Sequence, residues 1–143
     1  QRVSEARGDV EGETVGQIQA GILALVAVER GDGEAQASRM LERILGYRIF
    51  ADDQGRMNRS LKDTGGGLLL VSQFTLAADT ASGMRAGFSG AATPEDGERE
   101  FSRLVEMARA AYSPVETGRF RTHMQVHLIN DGPVTFHLRV APA

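Results

Sequence analysis

The chain has 143 residues, with 41% hydrophobic and 24% charged side chains, enough for one domain with its own core and too apolar for disorder. The absence of cysteine excludes disulfides, Cys-based zinc sites and thiol catalysis. A net charge of −3 argues against an extended duplex-binding face, which needs a surplus of cations.

Val3 to Ile18 alternates and turns at Glu11-Gly12-Glu13, which predicts a hairpin. Ile22 to Val28 is nearly all apolar, the mark of a strand covered on both faces. Asp32 is the expected cap of a helix whose stripe is Ala35, Met40, Leu41, Ile44 and Leu45, with Gly46 as its stop. Tyr47 to Phe50 returns as a strand, and the polar, Gly-rich Asp52 to Gly67 reads as a loop. Leu68-Leu69-Leu70-Val71 opens a central strand that is expected to run on to Leu76.

Ala77 to Ala92 is a longer loop than a structural connection needs. Thr93-Pro94-Glu95-Asp96 is a helix start, with Thr as cap, Pro at the first position and acids in the first turn. Phe101, Leu104, Val105 and Ala108 form that helix's buried stripe. Met124, Val126 and Leu128 then share one strand face, and Val134, Phe136, Leu138 and Val140 alternate after a turn. The expected fold class is α/β: a single compact domain, residues 1–143, with mixed, barrel-like β-sheets and two helices.

Two segments carry chemistry. Asn130-Asp131-Gly132-Pro133-Val134-Thr135 lies at a strand junction where Asp-Gly alone makes a turn. The added Pro reads either as the opening of an edge strand or as a device that fixes two carbonyls in one direction. Ser72-Gln73-Phe74-Thr75-Leu76 puts three polar side chains where an apolar strand would have stopped. Thr75 as a nucleophile requires a base, and no neighbour in sequence supplies one. The backbone N–H groups of Phe74 and Thr75 offer a different role, as receivers of a developing oxyanion.

Taken together, SQFTL and NDGPVT resemble the D-aminoacyl-tRNA deacylases, which hydrolyse D-amino acids from mischarged tRNA. Further segments follow in the family's order: Gln1-Arg2-Val3, Val28 to Asp32, Arg48-Ile49-Phe50, Gly55 to Asn58 and Val115 to Gly118. The family normally has a few strand residues before Gln1, so a short N-terminal stretch is expected to be missing. The resemblance implies a homodimer without cofactor or metal that takes the 3′ aminoacyl-adenosine end of tRNA, and the lack of cysteine and of a signal peptide makes the cytoplasm its expected compartment. It implies that Gly132 and Pro133 of each subunit enter the partner's site and hold the substrate amine. It implies that Asn130, Val134, Thr135, Met124 and Arg2 share in substrate binding and chiral selection, Arg2 by bracing the Gly-Pro segment, and that Ser72 and Gln73 orient the strand end and the adenosine ribose.

An L side chain would then point into backbone and a D side chain into open space, so chirality is rejected sterically. Glycyl-tRNA would pass the same filter. An aminoacyl ester also carries its own vicinal 2′-hydroxyl, which fits the lack of a Ser-His-Asp or Cys-His pattern. A site that takes only the tRNA tip needs few phosphate contacts. Nearly all positive charge is arginine, Lys62 being the only lysine, and arginine pairs phosphates bidentately.

The chain departs from the family in two places. Thr80 to Gly87 keeps a single Arg and lacks the usual Pro, and Arg121-Thr122-His123 replaces a small Gly-Ala before Met124. These departures leave open a non-catalytic, dimeric RNA- or nucleotide-binding protein on the same fold. A third reading takes His123 and His127 on one strand face, with His137 on the facing strand, as a three-His metal site. No apolar run approaches the roughly 20 residues of a membrane span, and no signal-peptide pattern is present.

Overall fold

The alternating N-terminal third folds as strands β1 (Arg2–Val10), β2 (Glu13–Ile18) and β3 (Gly21–Val26) in a computed structural model that describes residues 1–142. β1 and β2 form the expected hairpin, with Glu11 and Gly12 both at positive φ in the turn. Helix α1 (Glu34–Gly46) buries Leu41, Ile44 and Leu45. Its cap is Gly33 rather than Asp32: Gln36 Oε1 reaches back to the Gly33 N–H at 2.9 Å, while the Asp32 carboxylate accepts from Glu29 N–H at 2.8 Å. Gly46 is the last helical residue and not a left-handed stop, since the C-cap falls on extended Tyr47.

The Tyr47 to Phe50 strand shrinks to β4 (Phe50–Ala51), paired with β5 (Met57–Arg59) in a small separate sheet. The expected loop after it also holds a short helix, α2 (Leu61–Thr64). Ser60 and Asp63 cap it reciprocally at 3.2 and 2.8 Å, a pattern of the S-x-x-acid kind.

β6 (Gly67–Ser72) runs parallel to β3 and to β7 (Val115–Thr117). The main sheet has the order β2-β1-β3-β6-β7, and β8 (Gln125–Asn130) pairs antiparallel with β1. β2 closes toward β7 so tightly that a Cβ on Gly16 would sit 2.3 Å from Thr117 O, which makes the sheet nearly a barrel. Helix α3 (Pro94–Ala111) starts as expected, with Thr93 Oγ1 accepting from Asp96 N–H at 3.2 Å. Three α-helices thus stand where two were expected.

β6 alternates between two cores. Leu68 and Leu70 face α1 and α3 together with Ile22, Ile44 and Phe101. Leu69 and Val71 face the barrel interior with Val3, Ala6, Ile18 and Leu23. A strand buried on both faces must be apolar at every position, and each fully buried leucine contributes about 1.5–3 kcal/mol.

The last run differs from expectation. Val134 to Val140 belongs to no strand, and β8 takes β1 as its partner instead. The run lies along a cavity of about 610 Å³ between β3, α1 and α3. It is tied there by Arg139, which grips Glu29 through two bonds of 2.8 and 2.9 Å, and by Phe136 tilted against Tyr47. No helix among the described residues is long and apolar enough to cross a membrane.

Candidate active site

The central strand stops at Ser72 and does not reach Leu76. Gln73 N–H continues the ladder by donating to Val26 O at 2.7 Å, and Phe74–Ala77 then wind into a single 3₁₀ turn. Leu76 and Ala78 N–H close that turn on the carbonyls of Gln73 and Thr75, both at 3.2 Å. Two donors at its start, the N–H groups of Phe74 and Thr75, have no acceptor among the described residues, as the opening of any helical turn requires.

The Thr75 hydroxyl accepts a hydrogen bond from Gln73 Nε2 and, among the described residues, has no carboxylate or imidazole partner. The base that a threonine nucleophile needs is therefore not supplied by the fold within this chain. Phe74 is 61% exposed, and its ring leans on Phe88 at 5.1 Å. Phe88 follows a loop pinned shut by the reciprocal Asp79–Gly87 bonds of 2.7 and 2.9 Å.

Met124 lies outside β8 and wedges beside the ends of β6 and β7. Its sulfur accepts from Arg119 N–H at 3.4 Å and occupies the place where a Gly118 Cβ would be, 2.7 Å away. Gly118 N–H in turn donates to Leu70 O at 3.1 Å. Met124 thus joins the same sheet end as Ser72, Gln73, Phe74 and Thr75.

The second motif is held rigidly elsewhere. Asn130 Oδ1 accepts from Val134 N–H at 3.0 Å, and Asn130 Nδ2 donates to Thr135 Oγ1 at 2.9 Å, so one side chain spans the turn. Arg2 clasps the turn from the other side. Its Nε donates to Asp131 O and its Nη1 to Ile49 O, both at 2.9 Å, while its main chain bonds Asp131 N–H at 2.9 Å and Val134 O at 3.1 Å. Gly132 has φ +136 and Gly132-Pro133 is a cis bond; both residues are exposed.

The fold assembles each motif but sets them apart. Arg2 pairs with Ile22 near the start of β3, whereas Gln73 bonds Val26 at its end. At about 3.3 Å per residue the motifs stand roughly 13 Å apart along that strand. No hydrogen bond joins them among the described residues.

The three histidines do not converge. His127 is on β8, 3.3 Å from the Asp9 carboxylate; His123 precedes the strand and His137 lies in the unpaired C-terminal run. The facing strand that a three-His site requires is not formed, and no group of three metal-ligating side chains occurs among the described residues. Sequence reasoning missed Ile49 and Asp131 as Arg2's acceptors, because both act through backbone carbonyls that no side chain announces. It also missed the Phe74–Phe88 pair, whose members are far apart in sequence.

The fold is an α/β domain with a nearly closed, mixed sheet, a donor-bearing strand end and a braced Gly-Pro turn, and no side-chain triad lies at either motif among the described residues. The family model described as D-Tyr-tRNA(Tyr) deacylase matches residues 1–139. A D-aminoacyl-tRNA deacylase of Stenotrophomonas maltophilia is 66% identical over 97% of this chain and 96% of its own. One from Alkalilimnicola ehrlichii is 63% identical over 100% and 95%. Among solved structures, the c-Myc DNA unwinding element binding protein superposes with TM-score 0.94 at 35% identity, covering 99% of this chain and 96% of that one. The chain belongs to the D-Tyr-tRNA(Tyr) deacylase family, a family of hydrolases.

Proposed function

We propose that this chain hydrolyses the ester between a D-amino acid, or glycine, and the 3′ adenosine of tRNA, acting as a homodimer. The observation that carries this reading is the separation of the two motifs along β3, with Thr75's turn at one end and Gly132-Pro133 at the other. One chain cannot close both on a single ester. A second copy brings its Gly132 and Pro133 carbonyls to the Thr75 end, where they hold the substrate α-amino group.

With amine and ester fixed, the position of the side chain follows from chirality. An L side chain runs into the Gly-Pro backbone and a D side chain points to open space. The Phe74 and Thr75 N–H groups receive the oxyanion, each lowering the barrier by about 2.7–4 kcal/mol. The ribose 2′-hydroxyl supplies the proton-handling group, pre-positioned by being covalently attached. Gln73 holds the Thr75 hydroxyl, Ser72 ends the strand, and Met124 shapes the same sheet end. Arg2, Asn130, Val134 and Thr135 keep the Gly-Pro turn rigid.

Parallel incubation with D-Tyr-tRNA and L-Tyr-tRNA, with and without chelator, tests the reading. D-selective release that resists the chelator supports it. No release points to the non-catalytic binding dimer, and chelator-sensitive release to a metal-dependent hydrolase.

A further inference from the structure

The β4–β5 hairpin stands beside the Gly-Pro turn because one guanidinium joins them: Arg2 donates to Ile49 O at the hairpin's root and to Asp131 O in the turn. Four cations cluster on this hairpin and the first residues of α2. Arg48 precedes the root, Arg56 and Arg59 lie on the returning strand and its approach, and Lys62 is the second residue of the helix; all four are exposed. Among the described residues none of the four is in an ion pair, and none of their side chains donates a hydrogen bond within the chain.

Of the three acids interspersed with them, Asp53 is exposed without a partner among the described residues, and the other two are used differently. Asp52 accepts from Gln54 and Arg56 N–H at 2.9 Å and from Asn58 Nδ2 at 3.0 Å; Asp63 accepts from Ser60 N–H at 2.8 Å. Both carboxyls are held below their ordinary range, Asp52 first by the Asn58 bond and Asp63 first by the Ser60 bond, with nearby Arg59 adding to each. Both carboxylates spend acceptors on these local bonds, while the four cations stay exposed and unpaired. Four exposed, unpaired cations against the single uncommitted carboxylate of Asp53 fit an anion that brings only acceptors, and phosphate oxygens are such acceptors.

We propose that the β4–β5 hairpin and the start of α2 form a phosphate-contact surface for the RNA strand leading to the terminal adenosine. The proposal rests on the deacylase reading for which RNA arrives and from which side. If Gly132-Pro133 enters the partner's site, the hairpin beside it is carried to the mouth of that site. The strand that delivers the 3′ adenosine then passes along Arg48, Arg56, Arg59 and Lys62. This places the RNA-binding charge of an acidic chain in one short segment, away from the depleted loop around Arg85.

The test is filter binding of uncharged tRNA against salt concentration, alongside deacylation of D-Tyr-tRNA and of D-tyrosyl-adenosine. Combining Arg48→Gln, Arg56→Gln, Arg59→Gln and Lys62→Gln should lower the slope of log affinity against log salt by about 3, at roughly 0.7 for each phosphate no longer neutralised. It should weaken tRNA binding at least tenfold and leave D-tyrosyl-adenosine hydrolysis unchanged. An unchanged slope, or equal slowing of both substrates, overturns the proposal. Should the fourfold variant not fold, Arg56→Gln with Lys62→Gln should lower the slope by roughly half as much, and a slope equal to wild type overturns the proposal. Wild-type protein that cleaves neither ester sinks the deacylase reading, while tRNA binding still decides the fate of this surface.

Discussion

A Cβ placed on Gly132 would stand 3.0 Å from Arg2 Nη2, so the missing side chain of one residue makes room for the guanidinium of the other. The same Cβ would meet Val134 Cγ2 at 2.7 Å, at a φ of +136 that L side chains rarely adopt. Gly132→Ala is therefore expected to shift the turn, at a cost of about 1–3 kcal/mol and a Tm loss of about 5 °C. Deacylation should fall at least tenfold with the circular dichroism spectrum retained. Arg2→Lys should act similarly, since a single ammonium cannot span the Asp131 and Ile49 carbonyls. Wild-type deacylation by either variant would reduce the turn to a structural role.

Mixed dimers test the division of labour between subunits. Phe74→Pro deletes one N–H donor at the Thr75 end, and Gly132→Ala spoils the Gly-Pro end. Each alone should be nearly inactive. In a mixture that exchanges subunits, a heterodimer contains one site with both ends intact, and activity should recover toward a quarter of wild type. No recovery, with exchange shown by mass spectrometry, would place both motifs of each site on one chain.

Thr75 is bound to Gln73 and to no base. Thr75→Val should accordingly stay within about tenfold of wild type, or 1.4 kcal/mol of barrier. A 2′-deoxy terminal adenosine should hurt far more. A dead valine variant with an indifferent deoxy substrate would reverse the two assignments.

Glycine has no side chain for a steric filter to exclude, and a D side chain that points outward adds little binding energy of its own. Gly-tRNA should be cleaved at a rate closer to D-Ala-tRNA than to L-Ala-tRNA in side-by-side assays at equal enzyme. Resistance equal to that of L-Ala-tRNA would mean that the D side chain is recognised positively.

The tie between Glu29 and Arg139 has a pH signature. Hydrogen bonding to Arg139, ahead of the opposing effect of burial, holds the Glu29 carboxyl below its ordinary range. A carboxyl with a lower pKa folded than unfolded adds stability above the unfolded value and loses it as pH falls through the folded one. The Tm difference between wild type and Arg139→Gln should be constant from neutral pH down to about 5, shrink as pH falls below the ordinary carboxylate value of about 4.3, and vanish only below the folded one. A difference that grows in acid would contradict the assignment.

The elements legible in the sequence were those whose signal is local. Thr93-Pro94 marked α3 to the residue, the Leu41, Ile44, Leu45 stripe marked α1, and Leu68 to Val71 marked a strand buried on both faces. Ser60 and Asp63 carried a readable cap, but it opens a helix of only four residues inside a polar stretch. The turn at Phe74–Ala77 was hidden because one 3₁₀ turn has no period to detect. Alternation at Val134 to Val140 suggested a strand but could not name its neighbour; pairing is a long-range choice, and β8 made it with β1. Of the site, the two motifs were legible from their residues. Their placement at opposite ends of β3 was not, because it follows from strand order.

The pairing of β1 with β8, from Val3 opposite Asn130 to Asp9 opposite Gln125, sets a timetable for synthesis. One edge of β1 meets β2 as soon as the hairpin emerges, but the other must wait for roughly 120 further residues, or about 6–25 s at usual translation rates. Arg2 leaves the ribosome long before Asp131, so their clasp forms only once Asp131 has emerged. A truncated nascent chain therefore exposes an open sheet edge and lacks the Gly-Pro turn, and a ribosome that stalls late releases a product that is both sticky and without its second motif.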